Sequence, residues 1–175
     1  MIRHLHSFLK DQTGTAAIEF AFVLPALLTL CLGMFEFSEF VSADMKLANT
    51  SQLMSDLVAQ QANETNSLTS NFCTGGQMAL TPLPSATLKV ALASVTHYAA
   101  GISVDWQDTT CGSAASVSNA VALATPVIPN VGDSVIIAQA TYTYQSPVTY
   151  VLNSSYVLTQ TSFSRPRNVT SVTHS

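Results

Sequence analysis

A single carboxylate at the start of a long apolar run is the feature of this sequence with the clearest chemistry. Glu19 lies shortly after Gly14, and the only other acidic or basic side chain between Thr15 and Phe37 is Glu36. A charge inside a lipid bilayer costs about 2.5–3.5 kcal/mol on insertion scales, so Glu19 needs either a partner or access to water. Cleavage between Gly14 and Thr15 would create a partner, because the new ammonium group would lie one helical turn from Glu19.

Two interpretations of Glu19 follow. In the first, its carboxylate pairs with the ammonium of Thr15, either in the same subunit or in a neighbouring one, and thereby sets the register in which helices pack. In the second, Glu19 is an interfacial residue that extends towards water at the start of a helix, where the helix dipole favours a negative charge.

The apolar run is long enough to cross a membrane. As a helix, Thr15 to Phe37 would extend about 34 Å, compared with a hydrocarbon core of about 30 Å. Arg3 and Lys10 precede the run, and no further Lys or Arg occurs before Lys46. The positive-inside rule therefore predicts a cytoplasmic N-terminus, with everything after about Val41 on the outer side.

The helical pattern continues beyond the membrane segment. Apolar residues recur at spacings of three and four through Gln61, which predicts one helix of about 45 residues. Pro25 is expected to bend it, as membrane helices tolerate. The first half would lie in lipid, and one face of the second half would pack on a globular domain. Asn63 to Ser70 is predicted to be a loop.

Four later segments have the composition and alternation of strands: 86–100, 102–107, 134–145 and 156–164. The predicted fold class is therefore α+β, with a mainly antiparallel sheet of about four strands packed on the outer half of the long helix. We expect a loop over Thr109 to Asn119 and a frayed tail from Asn168 to Ser175.

The composition excludes several functions. The chain has 175 residues, of which only 9% are charged, and its six Lys and Arg residues form no basic stripe, so we expect no nucleic-acid partner. No phosphate-binding loop, nucleophile elbow or metal-ligand spacing is present, and we expect no cofactor, metal or small-molecule substrate. An enzyme would need His97, Asp105, Asp108 and Asp133 to converge, and nothing in the sequence predicts this.

Three cysteines are present, at positions 31, 73 and 111. Cys31 lies inside the apolar run. If the C-terminal part is exported, Cys73 and Cys111 are the natural disulfide pair; the alternative is two unpaired surface thiols.

The N-terminal block resembles a known class of exported proteins. A leader that ends in Gly, an acidic residue at the fifth position after it and an apolar helix are similar to the signal of type IV pilins and pseudopilins. The run from Gly14 to Pro25, followed by Glu36-Phe37, resembles more narrowly the TadE family, the minor pseudopilins of the tight-adherence (Flp) pilus. Gly132 to Val135, Tyr142 to Tyr144 and Phe163 to Arg167 resemble the C-terminal end of such proteins.

This resemblance implies a minor pseudopilin rather than an enzyme. It implies cleavage by prepilin peptidase between Gly14 and Thr15, a bacterial inner-membrane location with a periplasmic C-terminal domain, incorporation into a pilus, and contacts with the bilayer, other pilins and pilus-assembly membrane proteins. The expected organisation is a leader peptide (1–14), a transmembrane helix (15–41), the outer half of the long helix (42–62) and the exported α+β domain (63–175).

Three charged residues are candidates for partner contact: Glu36, Arg165 and Arg167. The alternative is that Glu36, like Glu39, faces headgroups or solvent, and that the two arginines satisfy Asp133 or backbone carbonyls.

Two rival interpretations concern the anchor. Val41-Ser42-Ala43 has small residues at the offsets that signal peptidase requires, and cleavage after Ala43 would release a soluble exported binding domain or enzyme that begins at Asp44. An uncleaved protein that begins at Met1 would be a plain single-pass anchored protein.

Overall fold

The structure, a computed structural model, describes residues 14–148, 152 and 154–175. The predicted leader and its basic residues at positions 3 and 10 therefore lie outside the described residues, except for Gly14. The first element, α1, is a single helix of 45 residues from Thr15 to Ala59. Its length confirms the prediction of one continuous helix, which includes Pro25.

Four antiparallel strands form the main sheet: β2 (Lys89–Tyr98), β3 (Gly101–Cys111), β4 (Ser134–Tyr144) and β5 (Tyr156–Ser164). Their spatial order is β3-β2-β4-β5. Each predicted strand is present, and β-branched and aromatic residues dominate β4, as expected for a buried central strand. The α+β class is confirmed.

The second half of α1 packs across one face of this sheet. Leu47, Met54 and Val58 are fully buried there against strand residues such as Ile136 and Leu92. The opposite face carries a smaller apolar cluster under the short helix α3 (Ala120–Ala124). The sheet is thus covered on both sides, and the core lies between α1 and β4.

Two loop predictions were wrong, and the third, for Thr109 to Asn119, holds only after Cys111. Residues 63–70 contain a short strand, β1 (Asn63–Glu64), and the start of a helix, α2 (Asn66–Ala79), while β3 continues to Cys111. The tail predicted to be frayed contains β6 (Thr173–His174), which pairs in parallel with β1. A 3-10 turn (Ser85–Thr87) precedes β2.

One local cap and several long-range contacts explain these differences. The hydroxyl of Thr65 caps α2 by accepting a hydrogen bond from the N–H of Leu68, 3.3 Å away. Gly76 allows α2 to approach α1 closely, since a Cβ atom there would lie 3.2 Å from Cγ2 of Thr50. Val172 is buried, which anchors the tail that precedes β6.

Candidate functional site

The exposure of α1 changes abruptly at Glu36. All residues from Thr15 to Phe35 are exposed except Gly33, which is half-buried, whereas Glu36 is only 1% exposed. The exposed part is about 21 residues, or roughly 32 Å, which matches the thickness of a bilayer core. Within the part of the chain that the structure describes, α1 is the one helix long and apolar enough to cross a membrane.

The predicted cleavage and pairing residues lie together at the N-terminal end of this exposed part. Gly14 immediately precedes α1, Thr15 is its first residue, and Glu19 is exposed one turn later. Among the residues described, no cationic group lies within salt-bridge distance of Glu19. The N-terminal end of the helix therefore carries an exposed carboxylate that the described residues leave without a cationic partner.

Gly14 is not required by the fold. Its φ is an ordinary −81°, and a Cβ atom there would meet no other atom within 4 Å. Any L-residue could adopt this conformation without a clash. Packing among the described residues therefore does not require glycine at this position.

Glu36 lies at the border between the exposed and the buried halves of α1. Its carboxylate accepts a hydrogen bond from the backbone N–H of Leu152, at 2.7 Å, in the connection between β4 and β5. The alternative that Glu36 faces headgroups or solvent does not hold, because its side chain is buried and bonded to Leu152. As a candidate partner contact, Glu36 is thus already engaged by its own domain.

An aromatic cluster follows Glu36 by one helical turn. The ring of Phe40 makes edge-on contacts with Tyr144 and Tyr156, at centroid distances of 5.6 and 5.8 Å. Such contacts typically contribute about 0.5–1.5 kcal/mol beyond burial. Burial raises the pKa of Tyr144, and the nearby Glu39 and Glu36 charges act in the same direction. The cluster fixes the end of the sheet against α1.

Polar contacts join the outer half of α1 to β5. The hydroxyl of Ser164 donates to Oδ1 of Asp56 at 2.6 Å and lies 3.0 Å from the hydroxyl of Ser55. Closer to the membrane half, the amide of Gln160 donates to Asp44 at 2.7 Å. The hydrogen bond from Ser164 is the main reason that the pKa of Asp56 is lowered. These contacts fix the register of α1 against the sheet.

The structure contains the predicted disulfide. Cys73 of α2 is bonded to Cys111 at the end of β3, with Cα atoms 5.5 Å apart. In the chain-entropy model, closing a loop of this size contributes about 4 kcal/mol. Among the described residues, Cys31 is the free cysteine, and it is exposed on the apolar half of α1.

Arg165 and Arg167 both face acidic groups of their own domain. The guanidinium of Arg165 lies 3.6 Å from Asp133 and donates to the carbonyl of Val127, and that of Arg167 lies 3.6 Å from Asp56. Their side chains remain 55% and 62% exposed. The structure thus shows intramolecular pairing and leaves much of each guanidinium accessible.

A buried acidic cluster under the C-terminal strand was not predicted from the sequence. The hydroxyl of Thr69 lies 2.7 Å from Oε1 of Glu64 and 2.6 Å from Oδ2 of Asp108, and His174 lies 3.6 Å from Asp108. One hydroxyl carries one hydrogen, so it can donate to only one carboxylate at a time. Burial raises the pKa of Glu64, and the charge of the neighbouring Asp108 acts in the same direction.

The four residues that an enzyme would need do not share one cluster. Asp105 accepts hydrogen bonds from Thr96 and Tyr98, whereas Asp133 lies beside Arg165. Nδ1 of His97 lies 3.0 Å from the carbonyl of Ile128, and Asp108 belongs to the cluster with Thr69. Within the described ranges, no group of three or more His, Cys, Asp or Glu side chains could hold a metal ion.

These features define an α+β protein with one apolar helix suited to a membrane and a disulfide-bonded domain packed on the helix's outer half. The family model described as TadE-like protein matches residues 14–52, which include the exposed half of α1 and the start of its packed half. This match confirms the resemblance over that segment and indicates a protein associated with the Tad pilus and held by an N-terminal membrane helix. TadE-like proteins are pilus components and are not known as enzymes. No curated protein and no solved structure matches the chain.

Proposed function

We propose that this chain is a minor pseudopilin, anchored in the bacterial inner membrane by residues 15–35 and taking part in assembly of the Tad (Flp) pilus. The observation that carries the proposal is that the family match covers the exposed apolar half of α1. The match spans residues 14–52, and the side chains described from Thr15 to Phe35 are exposed. A helix that projects from its own domain with an exposed apolar surface needs lipid or other apolar helices around it.

Gly14 supports cleavage by prepilin peptidase between Gly14 and Thr15. The folded chain has open space and an ordinary backbone conformation at this position, so packing does not explain why glycine is present. Recognition by a peptidase would explain it. The product would begin at Thr15 and leave an ammonium group one helical turn from Glu19.

Glu19 supports a role in assembly. The exposed carboxylate has no cation beside it among the described residues, and an intramembrane charge is costly without a partner. The ammonium of Thr15, in the same subunit or the next one, would provide that partner. Pairing between subunits would also select one register during helix packing.

Residues before and after the membrane helix favour one orientation of the protein in the membrane. Arg3 and Lys10 precede it, which favours a cytoplasmic N-terminus. The disulfide between Cys73 and Cys111 favours an oxidising compartment for the domain. We therefore place the domain in the periplasm, with the peptidase, other pilins and pilus-assembly membrane proteins as partners.

The rival is a soluble domain released after Ala43. Ala43 is fully buried within α1, and cleavage after it would remove Glu36 and Phe40, which contact the end of the sheet. The released domain would lose part of its own packing. The contacts before Asp44 therefore favour a helix that stays attached.

Mass spectrometry of the mature protein tests the proposal. We expect an N-terminus at Thr15 in cells with prepilin peptidase, and retention of the leader in Gly14→Ala. Alanine fits the site without a clash, so loss of processing could not be attributed to misfolding. The matched control is Gly75→Ala, another position with open space around the added Cβ. An N-terminus at Asp44 or Met1, or normal processing of Gly14→Ala, would reject the cleavage site.

A further inference from the structure

We propose that the end of the domain at which β4 passes into β5 rests on the outer surface of the bilayer, so that lipid headgroups are its partner. This membrane-contact end is defined by Val148, Leu152, Tyr156 and Val157. The inference rests on the proposed membrane anchoring, and it adds that the domain is held against the membrane in a fixed orientation.

The membrane-contact end lies beside the point at which α1 becomes buried. Leu152 donates its backbone N–H to Glu36, the first buried residue after the exposed apolar part of α1. Leu152 therefore lies beside the point at which the helix leaves the bilayer. Phe40 lies four residues further, or about 6 Å along the axis. The headgroup region on one side of a bilayer is about 5–8 Å thick, so Tyr144 and Tyr156, which contact Phe40, lie at headgroup level.

The composition of the membrane-contact end suits a membrane surface. Val148 and Tyr156 are each 37% exposed, and Val157 is 67% exposed. No Asp, Glu, Lys, Arg or His occurs from Gln145 through Ser164. Apart from Glu36 and Glu39 of α1, which lie near Tyr144, this end combines tyrosine with apolar residues, the composition that favours a membrane–water interface. The opposite end of the sheet carries Asp105, Asp133 and Arg165 and is therefore suited to water.

The position of the membrane-contact end favours lipid over another protein as its partner. The membrane-contact end is continuous with the exposed apolar surface of α1, and both are fixed in one body through Glu36 and Phe40. Whenever residues 15–35 span the bilayer, this end lies at the level of the headgroups. A second copy or another pilus protein would have to displace lipid from the same position. The bilayer is thus the partner that the geometry supplies.

Depth-dependent fluorescence quenching tests the inference on the full chain in phosphatidylcholine–phosphatidylglycerol vesicles. In a Cys31→Ser background, which keeps the disulfide, an environment-sensitive probe is attached at Val157→Cys. The matched control is Val131→Cys. Val131 is 63% exposed and lies between α3 and β4, near the end of the sheet at which β4 starts. We expect a blue-shifted emission and strong quenching by headgroup-labelled lipid at position 157, and neither effect at position 131.

Two results would overturn the inference. One is equal lipid quenching at positions 157 and 131. The other is protection of position 157 from both lipid and aqueous quenchers that grows with the protein-to-lipid ratio, since this would indicate a neighbouring protein chain. A third probe, at Phe22→Cys, distinguishes failure of this inference from failure of the proposed membrane anchoring. Quenching at position 22 by acyl-chain-labelled lipid shows that the helix is in the membrane whatever position 157 reports.

Discussion

The two halves of α1 share one continuous helix but have opposite surroundings. From Thr15 to Phe35 the side chains are exposed and almost all apolar, whereas from Glu36 to Ala59 one face is buried against the sheet. The membrane half makes few contacts with its own domain, so its sequence is constrained by lipid and by other helices. The packed half is constrained by the fold. Substitutions in the two halves should therefore affect different measurements.

The largest expected effect is on assembly and comes from the membrane half. Glu19→Ala removes the carboxylate that we propose pairs with the ammonium of Thr15, and we expect processing to continue while piliation is lost. The thermal midpoint of the domain should not change, because Glu19 contacts none of its described residues. Electron microscopy of pili, beside the mass of the mature chain, measures this. Glu19→Gln distinguishes charge from size, and normal piliation in Glu19→Ala would remove the pairing role.

The second prediction compares one residue type in both halves. Leu47 is fully buried under the sheet, whereas Leu27 is 48% exposed on the membrane half. Leu47→Ala should lower the free energy of unfolding by about 2–5 kcal/mol, because it removes buried methyl groups and leaves a cavity. Leu27→Ala should leave it almost unchanged. Urea unfolding of the full chain in detergent measures both, and equal effects would show that the comparison between the halves is wrong.

The difference between the membrane half and the packed half of α1 also explains which features could be predicted from the sequence. The membrane half was predictable because one apolar run and one carboxylate are local signals, and the strands were predictable because β-branched residues concentrate in them. The burial of Glu36 could not be predicted, because it depends on a contact with Leu152, which is 116 positions away in the sequence. Likewise, α2 contains Gly75 and Gly76, which are poor helix formers. Its helix depends on packing against α1 and on the bond from Cys73 to Cys111.

The buried acidic cluster gives the third prediction, a pH dependence confined to the domain. Burial raises the pKa of Glu64 above its usual 4.5, so the folded state holds a proton that the unfolded state releases. Stability from this group is therefore complete below about pH 4.5 and is lost as pH rises through the folded pKa. The slope can reach about 1.4 kcal/mol per pH unit.

Glu64→Gln should remove this slope, because glutamine resembles the protonated acid and can still donate to Thr69. Unfolding midpoints in urea from pH 4.5 to pH 8 measure it. Asp133→Asn, at a carboxylate that faces Arg165 on the surface, serves as the control and should keep the slope. An unchanged slope in Glu64→Gln would show that another group holds the proton.

The smallest effect is expected from Arg167. Its guanidinium lies 3.6 Å from Asp56 but is 62% exposed, and exposed ion pairs typically contribute about 0–1 kcal/mol. Arg167→Ala should therefore lower the free energy of unfolding by less than about 1 kcal/mol, and the difference should shrink in high salt because the charges are screened. The backbone N–H of Arg167, which donates to the carbonyl of Ala59, survives the substitution. Arg167→Lys keeps the charge and serves as the control in the same urea titration. A loss of several kcal/mol that salt does not reduce would mean that Arg167 holds the end of the packed half through contacts other than charge.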